Sequence, residues 1–360
     1  MRHTRGYNEI SSMAEAIPEQ LKKHSENVKK ADIPEELKVH ILLRIEQLSA
    51  LIDSPTFLPE FDRINNYIGW VLSLPWDKRT EDNLDLDHAR KVLDKNHYGL
   101  AEVKDRVLEY ISIMKLKQGE KKGEDVLRAP ILCFVGLVGT GKTTIASSIA
   151  EAMGRSFSRI PFGGMGDPLD LRGQSRMHPE AEPGKIIKAL RSTQSKNCVI
   201  LLDEIDRVTE EGRSSIMGVL VELLDPEQNK AFTDHFIDFP FDLSEVMFVA
   251  TANNTHNIAT AVLDRLEPIQ MPSYSDEEKI TIGKKYMLPR IIRQSGVPES
   301  ALVIEESVWP LIVRPLGYDA GMRTLERTIQ QVVRRAALEI VEGKAQTFKV
   351  SRENVKDFLQ

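Results

Sequence analysis

The stretch Gly136-Leu137-Val138-Gly139-Thr140-Gly141-Lys142-Thr143 matches G-x-x-x-x-G-K-[ST] at every position. Such a loop constrains a fold tightly, because it needs a strand before it and a helix after it. Both are expected here. Residues 131–135 read Ile-Leu-Cys-Phe-Val, an apolar run of strand length, and Ile145, Ile149 and Ala152 follow at helical spacing. In that context the glycines let successive backbone N–H groups turn inward, and the helix N-terminus adds partial positive charge toward a polyphosphate. Gly136, Leu137, Val138, Gly139, Thr140, Gly141, Lys142, Thr143 and Thr144 are therefore the candidate residues for binding ATP (or ADP). Lys142 would reach the β- and γ-phosphates, and the Thr143 hydroxyl would ligate Mg²⁺.

A second motif points the same way. Val199-Ile-Leu-Leu-Asp203-Glu204 is an apolar strand ending in two carboxylates, about sixty residues after the glycine loop. At the strand's carboxyl end Asp203 could hold Mg²⁺, directly or through water, and Glu204 could polarise an attacking water. Asn253 ends another apolar strand, from which it could reach the γ-phosphate or the water. Arg265 lies past a loop where a cation could face a neighbouring subunit's nucleotide, and Arg323 opens a helix in the last third.

These residues have room for two or three domains in a 360-residue chain. Residues 1–118 read as a helical segment, a first extended part followed by a small bundle. Asp32-Ile-Pro-Glu35 supplies a cap residue, an early proline and an acid, and Leu37, Ile41, Ile45, Leu48 and Ile52 follow at helical spacing. Further helices are expected over about 60–74, 85–94 and 101–117. Gly119–Asp125 is a polar, glycine-punctuated linker. From there to 272, apolar runs at 131–135, 198–202 and 246–250 alternate with helical stretches. That is the pattern of an α/β domain with a parallel sheet covered on both faces. From 273 to 360 the chain is expected to form a small, mainly helical subdomain, with a short strand at 347–350.

Composition excludes several classes. A formal charge of −6 gives no general attraction to nucleic acid or anionic membrane. No apolar run reaches about 18 residues, so no transmembrane helix is expected. Met1-Arg-His-Thr-Arg-Gly6 lacks the apolar block of a secretory signal. The two cysteines, Cys133 and Cys198, fall in expected buried strands and form no metal-ligand spacing. An intracellular, soluble protein follows, with bacterial cytoplasm favoured and a mitochondrial matrix possible.

Taken in order, Asp203-Glu204, Asn253, Arg265 and Arg323 after the phosphate loop resemble the AAA+ ATPases. The match is closer to the ATPase module of the Lon proteases. It is carried by His97-Tyr-Gly-Leu100, Phe162-Gly-Gly164, Pro183-Gly-Lys-Ile186, Leu201-Leu-Asp-Glu-Ile-Asp206 and Leu223-Leu-Asp-Pro-Glu-Gln-Asn229. Phe239-Pro-Phe-Asp-Leu-Ser244, Leu263-Asp-Arg265, Leu288-Pro289 and Arg323-Thr-Leu-Glu-Arg327 add to it, and it runs from about Ile33 to the C-terminus. The resemblance implies an AAA+ fold with a helical lid and a homohexameric ring acting on unfolded protein substrates. It implies Lys142 and Thr143 as the phosphate and Mg²⁺ pair, Asp203 and Glu204 as the acidic pair, and Asn253 as first sensor. It makes Arg265 a finger acting in trans and Arg323 the second sensor, and puts His97 and Tyr98 near the adenine.

Two departures from the family pattern bear on function. The stretch aligned with the family's pore loop reads Arg176-Met-His-Pro-Glu-Ala-Glu-Pro-Gly184, with His178 and Pro179 in place of the aromatic–aliphatic gripping pair. The chain also stops where the family's lid ends. The protease domain is expected to be missing, whether this is an excised middle segment, the favoured reading, or a stand-alone relative. The alternative function is a remodeller of protein or nucleic acid of the clamp-loader or branch-migration type. DNA binding is possible but unsupported by the charge balance.

Overall fold

Five strands form the main sheet, in the order β2 (Phe157–Pro161), β3 (Val199–Asp203), β6 (Met247–Ala252), β1 (Ile131–Val135) and β7 (Leu266–Gln270). The computed structural model describes residues 19–52, 54–119, 131–314, 321–343 and 347–358. The chain begins with α1 (19–30) and continues with α2 (Glu35–Ser49), α3 (Phe57–Ser73), α4 (Leu86–Asn96) and α5 (Ala101–Gly119). Then come β1 (Ile131–Val135), α6 (Lys142–Met153), β2 (Phe157–Pro161), α7 (Leu169–Arg172), α8 (Lys185–Thr193), β3 (Val199–Asp203) and α9 (Arg213–Leu224). A small hairpin of β4 (Phe232–Thr233) and β5 (Pro240–Phe241) precedes β6 (Met247–Ala252), α10 (Thr260–Leu263) and β7 (Leu266–Gln270). The last stretch holds α11 (Asp276–Ile282), α12 (Leu288–Ser295), β8 (Leu302–Ile304), α13 (Trp309–Val313), α14 (Gly321–Val341), β9 (Phe348–Val350) and α15 (Val355–Phe358). Gly119, expected to open the linker, closes α5 instead. The rest of that linker and the first part of the polar amino-terminal stretch lie outside the described residues.

Two compact units result. One comprises the chain up to Asp82, Gly154–Ala250 and Asn257–Glu267. The other comprises Asn83–Met153, Thr251–His256 and the chain from Pro268 onward.

In the first unit β2, β3 and β6 pair in parallel, with Pro161 opposite Asp203 and Leu202 opposite Ala250. All residues of β3 and β6 are buried, which is why both show as continuous apolar runs. β2 escaped the sequence pattern because only Ile160 of its five residues is buried, and its proline is tolerated at the sheet edge. At the amino ends of the strands a polar network ties down residues 77–82. Arg155 donates twice to Asp82, at 2.7 and 2.6 Å, and the Asn197 amide bonds Thr80 and Asp82. The amino-terminal helices are carried on the same unit: Tyr67 of α3 donates to the Ile237 carbonyl at 3.2 Å, and Arg191 stacks over Trp70 at 4.0 Å.

Helix α2 buries Leu37, Ile41, Ile45 and Leu48 as its spacing requires. It is not capped by Asp32, however. Pro34 holds the N-cap with its own carbonyl accepting from Lys38, because its fixed φ of −53° sets the chain up for the first turn. The helix also stops at Ser49, so Ile52, in line with the apolar face by count, is 39 % exposed.

The second unit places β1 and α6 beside the lid helices. Gly136 N–H donates to the Ala252 carbonyl and Met271 N–H to the Val135 carbonyl, so β1 is flanked by the end of β6 and the chain after β7. The lid starts at a full capping box, Ser275 with Glu278. A single π-helical turn, Gly283–Met287, then interrupts the α11–α12 run. A Cβ on Gly283 would lie 2.7 Å from the Trp309 ring, so glycine lets Trp309 pack directly on that turn. Trp309, Ile312, Leu325, Ile329, Val332, Val333 and Val350 make the lid core. β8, which the sequence pattern did not reveal, pairs in parallel with β9.

Candidate functional site

In the second unit the glycine loop has the backbone its pattern demands. Gly139 and Gly141 sit at φ +89° and +97°, where a side chain would be strained. Lys142, the first residue of α6, turns back into the loop and is 7 % exposed. Its ammonium donates to the Gly136 carbonyl at 2.6 Å, the Leu137 carbonyl at 2.9 Å and Asn253 Oδ1 at 3.1 Å. A cation held over a ring of turned-in backbone is what an incoming polyphosphate requires. Asn253 contributes a second signal. Its Nδ2 is buried with no hydrogen-bond partner among the described residues, an orphan donor that a phosphate oxygen or a water would satisfy. These two features fit the phosphates of a nucleotide, and Thr143, beside Lys142 in the same loop, offers a hard oxygen donor of the kind Mg²⁺ takes.

The lid touches the same loop. A Cβ built on Gly139 would lie 3.4 Å from the Arg323 backbone nitrogen, which brings the start of α14 to the loop tip. Tyr274, whose phenol burial pushes up to about 12, reaches the Thr140 carbonyl at 3.5 Å. Tyr274 was not legible as a site residue, since a lone tyrosine beyond a strand carries no motif.

His97 is 7 % exposed and its ring is occupied by α6: Nε2 lies 2.8 Å from Ser148 Oγ. Asn96 donates to the same hydroxyl and to Glu151, and the Lys104 ammonium holds the His97 carbonyl at 2.7 Å. Burial, helped by the Lys104 charge, drives the His97 pKa down to about 4. The folded imidazole therefore stays neutral while the unfolded one protonates below 6.5. The stability it contributes is complete above pH 6.5 and is lost as pH falls toward 4. Unfolding measured between pH 7 and 4.5 should lose roughly 2–3 kcal/mol from this group, and His97→Gln should flatten that part of the profile. Tyr98 packs on the lid core, its ring 6.5 Å from that of Tyr286. The next residues, Gly99 and Leu100, are both left-handed, at φ +63° and +55°; for leucine that is a strained position of the kind found at ligand clamps.

In the first unit Asp203 ends β3 and is 3 % exposed. Arg159 of β2 donates from Nε to its Oδ2 at 2.6 Å, and Nη2 stands at ion-pair distance, 2.6 Å, from the same oxygen. Glu204 follows in the left-handed region, φ +59° and ψ +50°. Non-glycine residues pay about 1–2 kcal/mol for that conformation, and here the turn Ile205–Arg207 holds it. Gly163 leaves the carboxylate room, since a Cβ there would lie 3.2 Å from Glu204 Oε2. Arg265 folds back on its own chain: Nη2 donates to Asp225 Oδ2 at 2.7 Å and Nη1 to the Ala261 carbonyl. The same guanidinium lowers the Asp225 pKa. Arg159 is thus a partner of a candidate residue that no motif identified, whereas Asp225 stood in the Leu223–Asn229 segment without an assigned role.

The stretch between α7 and α8 is a closed loop. Gly173 at φ +74° and Gly184 meet at its neck, where a Cβ on Gly184 would lie 2.0 Å from the Leu171 carbonyl oxygen. Asp234, fully buried, accepts from the backbone N–H groups of Gly184, Phe236 and Ile237, and burial raises its pKa. Arg176 stacks on Tyr67 at 4.0 Å, while Met177, 81 % exposed, and His178, Pro179 and Glu180 form the tip.

A model of the ATPase family associated with various cellular activities (AAA) matches residues 132–274, and one of the Lon protease AAA+ ATPase lid domain matches residues 293–349. The chain is 39 % identical over 339 residues to the Lon protease of Halothermothrix orenii, an alignment covering 94 % of this chain and 42 % of that one. It is 44 % identical over 301 residues to Lon protease 2 of Thermus thermophilus, covering 82 % and 37 %. The Lon protease of Bacillus thuringiensis is 40 % identical over 334 residues, covering 93 % and 41 %. The chain thus spans about two fifths of the length of the curated relatives it matches. Among the described residues no helix is long and apolar enough to cross a membrane.

Proposed function

Since this chain is a Lon-type AAA+ ATPase module, we propose that it hydrolyses ATP and uses the energy to unfold and move polypeptide, as the motor of an ATP-dependent serine protease. The observation that carries the reading is the convergence of Lys142, Asn253 and the start of α14 on one phosphate-type loop. Gly136 through Thr144 would hold the triphosphate, with Lys142 on its β- and γ-oxygens. Thr143 and Asp203 would hold Mg²⁺, which when bound neutralises charge on those oxygens. Glu204 would take a proton from the attacking water, Asn253 would position that water, and Arg265 of an adjacent copy would stabilise the charge developing on the transferred phosphoryl group. Arg323 would couple the γ-phosphate to lid movement. His97 and Tyr98 would border the adenine, through the backbone of the strained Gly99-Leu100 turn rather than through the His97 ring.

A finger supplied by a neighbour requires assembly, and a homohexameric ring in a cytoplasmic compartment is part of the proposal. To act as a finger, Arg265 would first leave Asp225. Phosphate release followed against protein concentration, alongside particle mass by light scattering with and without ATP, tests it. Turnover per chain should rise with assembly; a rate proportional to concentration throughout, with no large particle, counts against a trans-acting Arg265.

The exposed loop tip is proposed to face the translocating chain with a weak grip, since His178 and Pro179 offer less apolar contact than an aromatic and an aliphatic side chain. His178→Tyr with Pro179→Val should raise ATP-driven unfolding of a tagged substrate by up to about tenfold. Unchanged unfolding would remove the tip from the translocation step.

A further inference from the structure

The carboxylate assigned to the metal side is held by a base on the sheet's edge strand. Arg159 pairs in register with Leu201, and Asp203 stands two residues further along β3, opposite Pro161. From there the guanidinium runs toward the carboxyl ends of the strands and places two nitrogens on one oxygen, Asp203 Oδ2, at 2.6 Å each. Asp203 is almost wholly buried, whereas the Arg159 side chain is half exposed. A buried carboxylate without a partner is costly, and a charge-assisted hydrogen bond from Nε with Nη2 pressed on the same oxygen restrains its rotation about the Cβ–Cγ bond. The pair is therefore more than neutralisation: it determines how the second oxygen is presented.

We propose that Arg159 is the positioning residue for Asp203, orienting its carboxylate and balancing its charge, and so setting the Mg²⁺ requirement for nucleotide binding. This rests on the reading of Asp203 as a metal-side residue. A full positive charge beside that carboxylate competes electrostatically with a divalent cation. Removing it should make Mg²⁺ bind at lower concentration but with the carboxylate less well aimed.

The test is the Mg²⁺ concentration giving half-maximal binding of a fluorescent ATP analogue, measured with phosphate release and a thermal melt. For Arg159→Gln the midpoint should fall about tenfold while turnover drops. Arg159→Lys keeps the charge but not the two-nitrogen geometry, so its midpoint should stay near wild type while turnover still drops. A folded Arg159→Gln with a midpoint within twofold of wild type overturns the proposal, because a purely structural pair would alter only the melt. Should Arg159→Gln fail to fold, an Arg159→Lys with wild-type turnover overturns it instead. Asp203→Asn separates the two levels: if it leaves the midpoint untouched, the reading of Asp203 fails and the proposal with it. If Asp203→Asn shifts the midpoint and Arg159→Gln does not, only the role of Arg159 is wrong.

Discussion

Lys142→Ala will lose nucleotide binding by at least about a hundredfold, or roughly 3 kcal/mol, without unfolding the protein. The lysine's contacts in the glycine loop are to the carbonyls of Gly136 and Leu137 and the amide oxygen of Asn253, acceptors that water can serve when the side chain is gone. Alanine is also the better helix former at the start of α6. Titration of a fluorescent ATP analogue, with circular dichroism on the same samples, separates the two effects. An affinity within threefold of wild type would show that the ammonium is not the phosphate-binding cation.

Glu204→Gln should do the opposite: keep ATP bound and slow its hydrolysis by about 10²–10⁴-fold, the usual contribution of a general base. The strained backbone makes a control available. Glutamine pays the same cost at φ +59° as glutamate, so the fold should be unaffected, whereas Glu204→Gly removes the strain and should melt at least as high while being equally inactive. A Glu204→Gln protein that turns over at the wild-type rate, assayed at a concentration where the wild type is assembled, would displace Glu204 from the chemical step.

What could be read in advance followed from burial and motif density. β1, β3 and β6 lie inside the sheet, so every position on them wants an apolar side chain, and the runs stand out. β2 and β7 lie at the edges, and β2, with Ser158, Arg159 and Pro161, looks like loop. The most informative partner of Asp203 was hidden in that strand. A charged residue in an unrecognised strand gives no hint of which carboxylate it meets, because register is a property of pairing rather than of local sequence. The glycine loop was legible because backbone conformation restricts residue type there, positive φ at Gly139 and Gly141 calling for glycine. Asp203 and Glu204 stood out because carboxylates end an otherwise apolar, buried run. The His97 ring gave no warning that α6 would occupy it. Ser148, its partner there, lies 51 residues away in the chain.

The neck of the loop between Gly173 and Gly184 has a consequence for divergence. Asp234 seals it from beneath with hydrogen bonds to main-chain groups, and the Arg172 carbonyl accepts from His235 beside it. The domain therefore depends on the two glycines and one aspartate and is largely indifferent to what the tip contains. A segment insulated in this way can drift in sequence, or be exchanged wholesale, while the hydrolytic machinery stays intact. His178 and Pro179 need not record a failing motor; they sit in a replaceable cassette, on a mounting that tolerates change.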